Sequence, residues 1–408
     1  MTRRVANTSG KWAFPSRFRR EGFGWRASRL ACQRIDEALA EIRAAAKRDP
    51  VYAAEGAVRF LEKISPALEQ VDSSSGALGS AVNHAIAVLV PIISSAPVAA
   101  AERERWLDRL FEAYQDDEIP YIESLGEQWG ELCGGAELAS LWADRLASLV
   151  AHVNADRIAG RHSYSKSTAV VHSALFAAGR FDELKALILQ DPRPMWHDLQ
   201  WIGRIEIARG NVDGAIAFMD RSVGKWTPRV GLAHFAEKAL LAAGRSRESY
   251  ERFAIEANQR TSYLGTYRAI AAKYPDVDPD RLLADLIAST PGEEGKWFAT
   301  AKTLKRFDLA MSLAWRSPCD PKTLARAARD FSDKQPVFAA EVAVAALHWI
   351  CLDYGYELTS LDVVAPYRLA VELGQRLEQS DKVTLRLQTM LARDNVRVRW
   401  VRQMLSLP

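Results

Sequence analysis

Cysteine is scarce in this chain. Its 408 residues include 4 cysteines, Cys32, Cys133, Cys319 and Cys351, and no two of them form a CxxC pair. That spacing excludes a readable disulfide framework and a cysteine-built zinc cluster, and it fits a reducing compartment. Long apolar runs are scarce too. The longest, Ile86 to Ile93, is interrupted by Pro91 and falls far short of the roughly 20 residues that span a bilayer. Arg3 and Arg4 are followed by no apolar stretch of the kind that opens an export signal. The sequence therefore predicts a cytoplasmic protein with no membrane span. It also lacks a GxxxxGK(S/T) phosphate loop, and Gly134-Gly135 reads as a helix terminator. No nucleophile with a base and no paired carboxylates stand out, so no catalytic, cofactor-binding or metal-ligating residue is assigned.

What is present favours helix. Hydrophobic residues make up 48% and charged residues 26% of the chain, and Ala, Leu, Arg and Glu outweigh Val, Ile and Thr. A chain of 408 residues is too long for one compact core, which leaves two domains or an extended repeat array. The net charge of +3 conceals an uneven distribution. Residues 1–30 carry +7 and residues 382–408 carry +5, leaving −9 for the segment between them. Basic ends on an acidic body can pair with that body, meet an acidic partner or touch nucleic acid.

Four segments follow in order. Residues 1–25, with Gly10, Pro15, Gly22 and Gly24 among basic and aromatic side chains, read as an irregular arm. Residues 26–155 read as an N-terminal helical region. Ala31, Ile35, Ala38, Leu39, Ile42 and Ala46 form one stripe ended by Asp49-Pro50; Val58, Leu61, Ile64, Leu68 and Val71 form a second, with Pro66 bending or breaking it. Further helices are predicted near 78–95, 99–115, 119–133 and 136–153, and the polar stretch from Asn154 to Ser167 reads as a loop and soft boundary. Residues 156–380 form a helical repeat array, with helices near 337–353 and 363–378 at its end. Residues 381–408 form a basic C-terminal cap. There, alternation from Val396 to Arg402 suits an edge strand, but the end of a helical cap is favoured.

The array is announced by Gly179, Gly210 and Gly244, spaced 31 and 34 residues apart, a period that belongs to helical hairpins. Five residues after each glycine stand Leu184, Ala215 and Ser249, and nine after stand Ile188, Met219 and Phe253. Eight before stand Val171, Ile202 and Ala236, and three before stand Phe176, Ile207 and Leu241. Such offsets place apolar groups on the faces that meet inside a hairpin, which no single hairpin can bury alone. Lys305-Arg306-Phe307-Asp308 echoes Gly179-Arg180-Phe181-Asp182, with room for one degenerate unit near Tyr274-Pro275 between it and Gly244.

These offsets are similar to those of tetratricopeptide repeats, and the likeness implies an all-α fold, a right-handed tetratricopeptide-like α-solenoid of stacked helical hairpins. A second likeness covers roughly residues 25–255. Arg34-Ile35-Asp36-Glu37-Ala38-Leu39, Ala53 to Leu68, Gln70 to Gly76 and Trp106 to Glu112 resemble an uncharacterised bacterial helical family. That family also occurs as the C-terminal region of SWIM zinc-finger proteins. The resemblance implies a helical-repeat protein without an assigned reaction. The finger itself needs CxC and CxH pairs that this chain lacks, so its metal and nucleic-acid roles are not implied.

Two sets of residues are candidates for binding. The positions ten and six before each glycine line the concave face in such an array: Ala169 and Ser173, Gln200 and Arg204, His234 and Lys238. A groove with Arg204 and Lys238 suits an acidic peptide or a C-terminal carboxylate. The second set is basic and aromatic. Arg17, Arg19, Arg20 and Trp25 in the arm, with Arg397, Arg399 and Arg402 at the other end, are of the types that hold phosphates and stack on bases. The competing reading is that arm rings pack on the first helices while the Arg side chains meet the acidic body. His348 and Cys351, three apart among apolar neighbours, read as core; Asp116-Asp117-Glu118 reads as a solvated turn. Trp196-His197-Asp198 could be hydrogen-bonded, although neighbouring residues on a helix point to different faces. The function predicted is a non-enzymatic scaffold for a protein or peptide partner, and the alternative is a nucleic-acid-associated protein using its basic termini.

Overall fold

The computed structural model describes residues 11–192, 194–224 and 229–407. The chain is 72% helix, with 21 α-helices and no strand among the described residues, so the fold is all-α. It divides into two compact units, Met1–Thr227 and Pro228–Pro408. The soft boundary near residue 155 lies inside the first.

The first unit opens on the arm. Its described residues include a 3-10 helix at Phe14–Ser16, and Phe14, Phe18 and Phe23 are buried. Phe14 and Phe18 stand edge-on to Phe60 at 5.7 and 5.0 Å, and Trp12 stacks on Tyr52 at 4.4 Å. Glu41 accepts the backbone N–H groups of Ala13 and Phe14 at 2.8 and 3.2 Å, which anchors the start of this packed segment.

Helices α1 (Ser28–Ala46), α2 (Pro50–Leu68), α3 (Ala77–Ser94) and α4 (Ala100–Gln115) follow. The stripes predicted for α1 and α2 are the buried ones, from Ala31 to Ile42 and from Val58 to Leu68. Asp49-Pro50 starts α2 rather than ending α1. The Asp49 carboxylate accepts the Tyr52 N–H at 2.9 Å, and Pro50 occupies the first turn, where no N–H is needed. The helix runs through Pro66 to its end at Leu68. Helix α3 is long and apolar enough to cross a membrane by length and composition. It packs on α1 and α2 through Leu78, Val82, Ile86, Leu89 and Ile93, all buried, while Ser80, Asn83 and His84 face outward.

The single helix predicted for 119–133 is instead a 3-10 segment, Glu123–Gln128, followed by the short α5 (Trp129–Cys133). Two tertiary contacts account for the difference. Asp117 takes the N–H groups of Tyr121 and Ile122 at 3.3 and 2.9 Å, drawing the chain into a turn. A Cβ at Gly126 would lie 2.5 Å from the Tyr114 hydroxyl, so the backbone passes close against its neighbours. Then come α6 (Ala136–Ile158), α7 (Ser167–Ala177), α8 (Phe181–Leu189), α9 (Trp196–Ala208) and α10 (Val212–Arg221). Helix α6 extends into the predicted polar loop, which shrinks to residues 159–166.

In the second unit, α11 (Arg229–Ala242), α12 (Ser246–Ala257), α13 (Tyr263–Lys273) and α14 (Pro279–Ala288) precede a 3-10 turn at Glu294–Trp297. They are followed by α15 (Phe298–Thr303), α16 (Phe307–Arg316), α17 (Pro321–Phe331), α18 (Pro336–Cys351), α19 (Ser360–Arg376), α20 (Ser380–Leu391) and α21 (Val396–Met404). The alternating stretch from Val396 is helix, with Val398 and Val401 buried three residues apart on one face.

One hydrogen-bond pattern ends the first helix of successive pairs. Gly179, Gly210 and Gly244 have φ of 72°, 81° and 73°. Each donates to the carbonyl three residues back while the next residue donates five back, as in Arg180 to Leu175, Asn211 to Glu206 and Arg245 to Leu240. Lys305 does the same at φ 60°, with Arg306 donating to Ala301. So do Asp353 and Glu378 at φ 67° and 56°. The residues five after the glycines, Leu184, Ala215 and Ser249, are fully buried, as are Val171, Ile202 and Ala236 eight before at 1% exposure or less.

Candidate functional site

The groove positions fare differently. Ser173 is a correction: it is buried, and its hydroxyl donates to the Glu127 carbonyl at 2.8 Å while accepting the Gly130 N–H at 2.9 Å. Helix α5 covers it so closely that a Cβ at Gly130 would lie 2.3 Å from the Ser173 carbonyl. Gln200 and Arg204 on α9 are half-buried. The Arg204 guanidinium lies 4.3 Å from the Trp201 ring centre and 3.7 Å from Glu127.

In the second unit, His234 and Lys238 stand exposed one turn apart on α11, with Phe235, Ala236 and Glu237 buried between them. Neither has an ion pair among the described residues. Beneath them Glu237 is the hub of a buried polar cluster. Its carboxylate accepts the Tyr274 hydroxyl at 2.7 Å, the Lys273 ammonium at 2.7 Å and the Asn258 amide. Burial pushes the Tyr274 phenol up, so it remains a donor to this carboxylate. A satisfied cluster of this kind locks the exposed face of α11 in place.

Several basic side chains of the two ends are engaged within the protein. Arg17 pairs with Glu37 and Arg20 lies 3.8 Å from Glu69. Arg397 pairs with Asp353 and lies 5.3 Å from the Trp400 ring centre, Arg399 pairs with Asp394 at 3.0 Å, and Arg402 donates to the Leu391 carbonyl. Arg19 remains exposed, and Trp25 is 66% exposed. The structure adds two residues that the sequence did not single out, Arg26 and Arg29, exposed beside Trp25 where α1 begins. Their share in the basic charge of residues 1–30 was the available signal.

Asp117 is the second correction. The predicted solvated turn holds a carboxylate that is only 2% exposed, accepting the Ser65 hydroxyl and two backbone N–H groups, while Lys166 donates to its carbonyl at 2.6 Å. Burial raises its pKa despite these partners. The same Lys166 ammonium donates to the carbonyls of Tyr114 and Gln115 at 3.0 and 3.1 Å, capping the end of α4. His348 and Cys351 are core-like: rings of Trp315 and Trp349 lie 5.0 Å from the imidazole, and burial pushes the thiol up to about 11. Asp198 sits 3.4 Å from both His172 and His197, so the sequence neighbours His197 and Asp198 do meet. His172 and Asp198 are buried, which denies a substrate access to that pair. Among the described residues no group of three or more His, Cys, Asp or Glu is arranged to hold a metal. Compared with known proteins, the chain matches no family model and no curated protein.

Proposed function

We propose that this protein is a non-enzymatic, cytoplasmic helical-repeat scaffold whose hairpins stack as a tetratricopeptide-like α-solenoid and whose partner is an acidic protein segment. In this reading α3 is a core helix, and the kinship with the helical family found beside SWIM fingers adds no reaction. The observation that carries it is the exposed Lys238, without an ion pair among the described residues, one turn from His234 on a helix face fixed from below by Glu237. The positive charge of Lys238 favours a carboxylate, and a helix that is already fixed adds no backbone ordering cost on binding.

The test uses fluorescently labelled acidic dodecapeptides with free and amidated C-termini. Lys238→Glu is expected to weaken the best binder at least tenfold at low salt, with an unchanged circular dichroism spectrum. Equal affinity of wild type and Lys238→Glu, or no peptide bound, would overturn the reading.

A further inference from the structure

We propose that the junction between the arm and α1 is a binding surface for single-stranded nucleic acid, formed by Arg19, Trp25, Arg26 and Arg29. This surface is separate from the peptide face on α11 and does not depend on it.

Packing leaves this segment unspent. Of the arm's rings, Phe14, Phe18 and Phe23 are buried and Trp12 is stacked on Tyr52, whereas Trp25 is 66% exposed. Arg17 and Arg20 face Glu37 and Glu69, but the exposed side chains of Arg19, Arg26 and Arg29 have no ion pair among the described residues. Residues 19–30 carry four Arg and a single acid, Glu21. The nearest part of the following loop is occupied as well: the Asp72 carboxylate accepts the Ser74 N–H, and its backbone N–H donates to the Trp25 carbonyl at 2.9 Å. Two turns, Gly22 N–H to Arg19 and Ala27 N–H to Gly24, both at 2.9–3.0 Å, fold the segment back on itself. Arg19, Arg26 and Arg29 therefore belong to one short, turn-rich segment that leads into α1.

The chemistry favours one class of partner. Guanidinium groups hold phosphates, and an exposed indole offers a face on which any base can stack. A bilayer needs a contiguous apolar area, but Trp25 and Leu30 are the only large apolar side chains exposed on this segment, too little to hold a protein at a membrane. Duplex DNA hides the base faces that Trp25 would use. A single strand offers both phosphates and open bases.

Three phosphate contacts on a single strand give a logarithmic salt slope of about −2, so raising salt from 50 to 200 mM should weaken binding roughly twentyfold. The experiment measures fluorescence anisotropy of a labelled 12-nucleotide oligothymidylate with the full chain. Trp25→Ala is expected to weaken binding about tenfold while Trp25→Phe keeps most of it. Arg26→Glu with Arg29→Glu should abolish it at 50 mM salt, whereas Arg43→Glu, exposed at the far end of the same helix, should bind nearly as wild type. Circular dichroism reports whether each variant is folded. The proposal is overturned if the oligonucleotide is not bound at 50 mM salt, if Trp25→Ala or the double reversal binds as wild type, or if phosphatidylserine vesicles are bound and the oligonucleotide is not.

Discussion

Lys305 holds the left-handed backbone conformation that glycine holds at Gly179, Gly210 and Gly244. For a residue with a Cβ this region costs roughly 1 kcal/mol, and glycine returns part of the relief as extra entropy of the unfolded chain. Lys305→Gly is therefore expected to stabilise the protein by about 0.5–1 kcal/mol net. At Gly210 nothing stands within 4 Å of where a Cβ would be, so Gly210→Ala adds no clash and carries the backbone penalty less the unfolded-chain entropy that Ala saves, about 0.5–1 kcal/mol in the opposite direction. Urea titration decides both: the midpoint should move up for the first and down for the second with the slope unchanged. Midpoints that do not separate would show that these helix ends are frayed. The glycines were legible in the sequence because few residues other than glycine occupy this conformation. Asp353 and Glu378 were not legible, since a charged residue there looks like any other surface position. Asp117 escaped for a related reason: nothing local tells a carboxylate in an acidic triplet that Ser65, Tyr121 and Ile122 will enclose it.

At the scale of elements, the long amphipathic helices were readable because 3.6-residue periodicity is a property of the segment itself. The segment from 119 to 133 was not, because its shape is imposed from outside by Asp117, Tyr114 and α7. Ser173 failed as a groove residue for the same reason. Its spacing from Gly179 is right, but α5 lies on top of it. The arm shows the reverse case, an irregular segment that nonetheless packs. Its seat depends on Gly56, where a Cβ would lie 2.3 Å from the Trp12 indole. Gly56→Val is expected to dislodge Trp12 and expose residues 11–18 to protease while α1 and α2 keep their helicity. Trypsin should then cut at Arg17 or Arg19 at least tenfold faster than in wild type. An unchanged rate would mean that the Glu41 and Phe60 contacts hold the arm without Trp12.

Across the whole molecule, each unit carries a hydrophobic core of its own. One is built from residues between Phe14 and Ile205, including Trp106, Trp129 and Trp142; the other from residues between Tyr250 and Val401, including Trp297, Phe298 and Phe338. The sequence placed a soft boundary near 155, where composition turns polar, yet α6 packs on α7 across that point. Composition marks where a chain is solvated, whereas a boundary between cores is set by which helices share buried side chains. Units with separate cores of this size bury enough apolar surface to fold alone. Residues 11–224 and 229–407, expressed separately, are therefore each expected to melt in one cooperative transition with helical circular dichroism. Each should also keep its own binding property, the oligonucleotide with the first and the acidic peptide with the second. A fragment that binds 8-anilinonaphthalene-1-sulfonate and melts without cooperativity would show that its core is completed by the rest of the chain. That outcome would move the two binding surfaces from independent modules to parts of one folding unit.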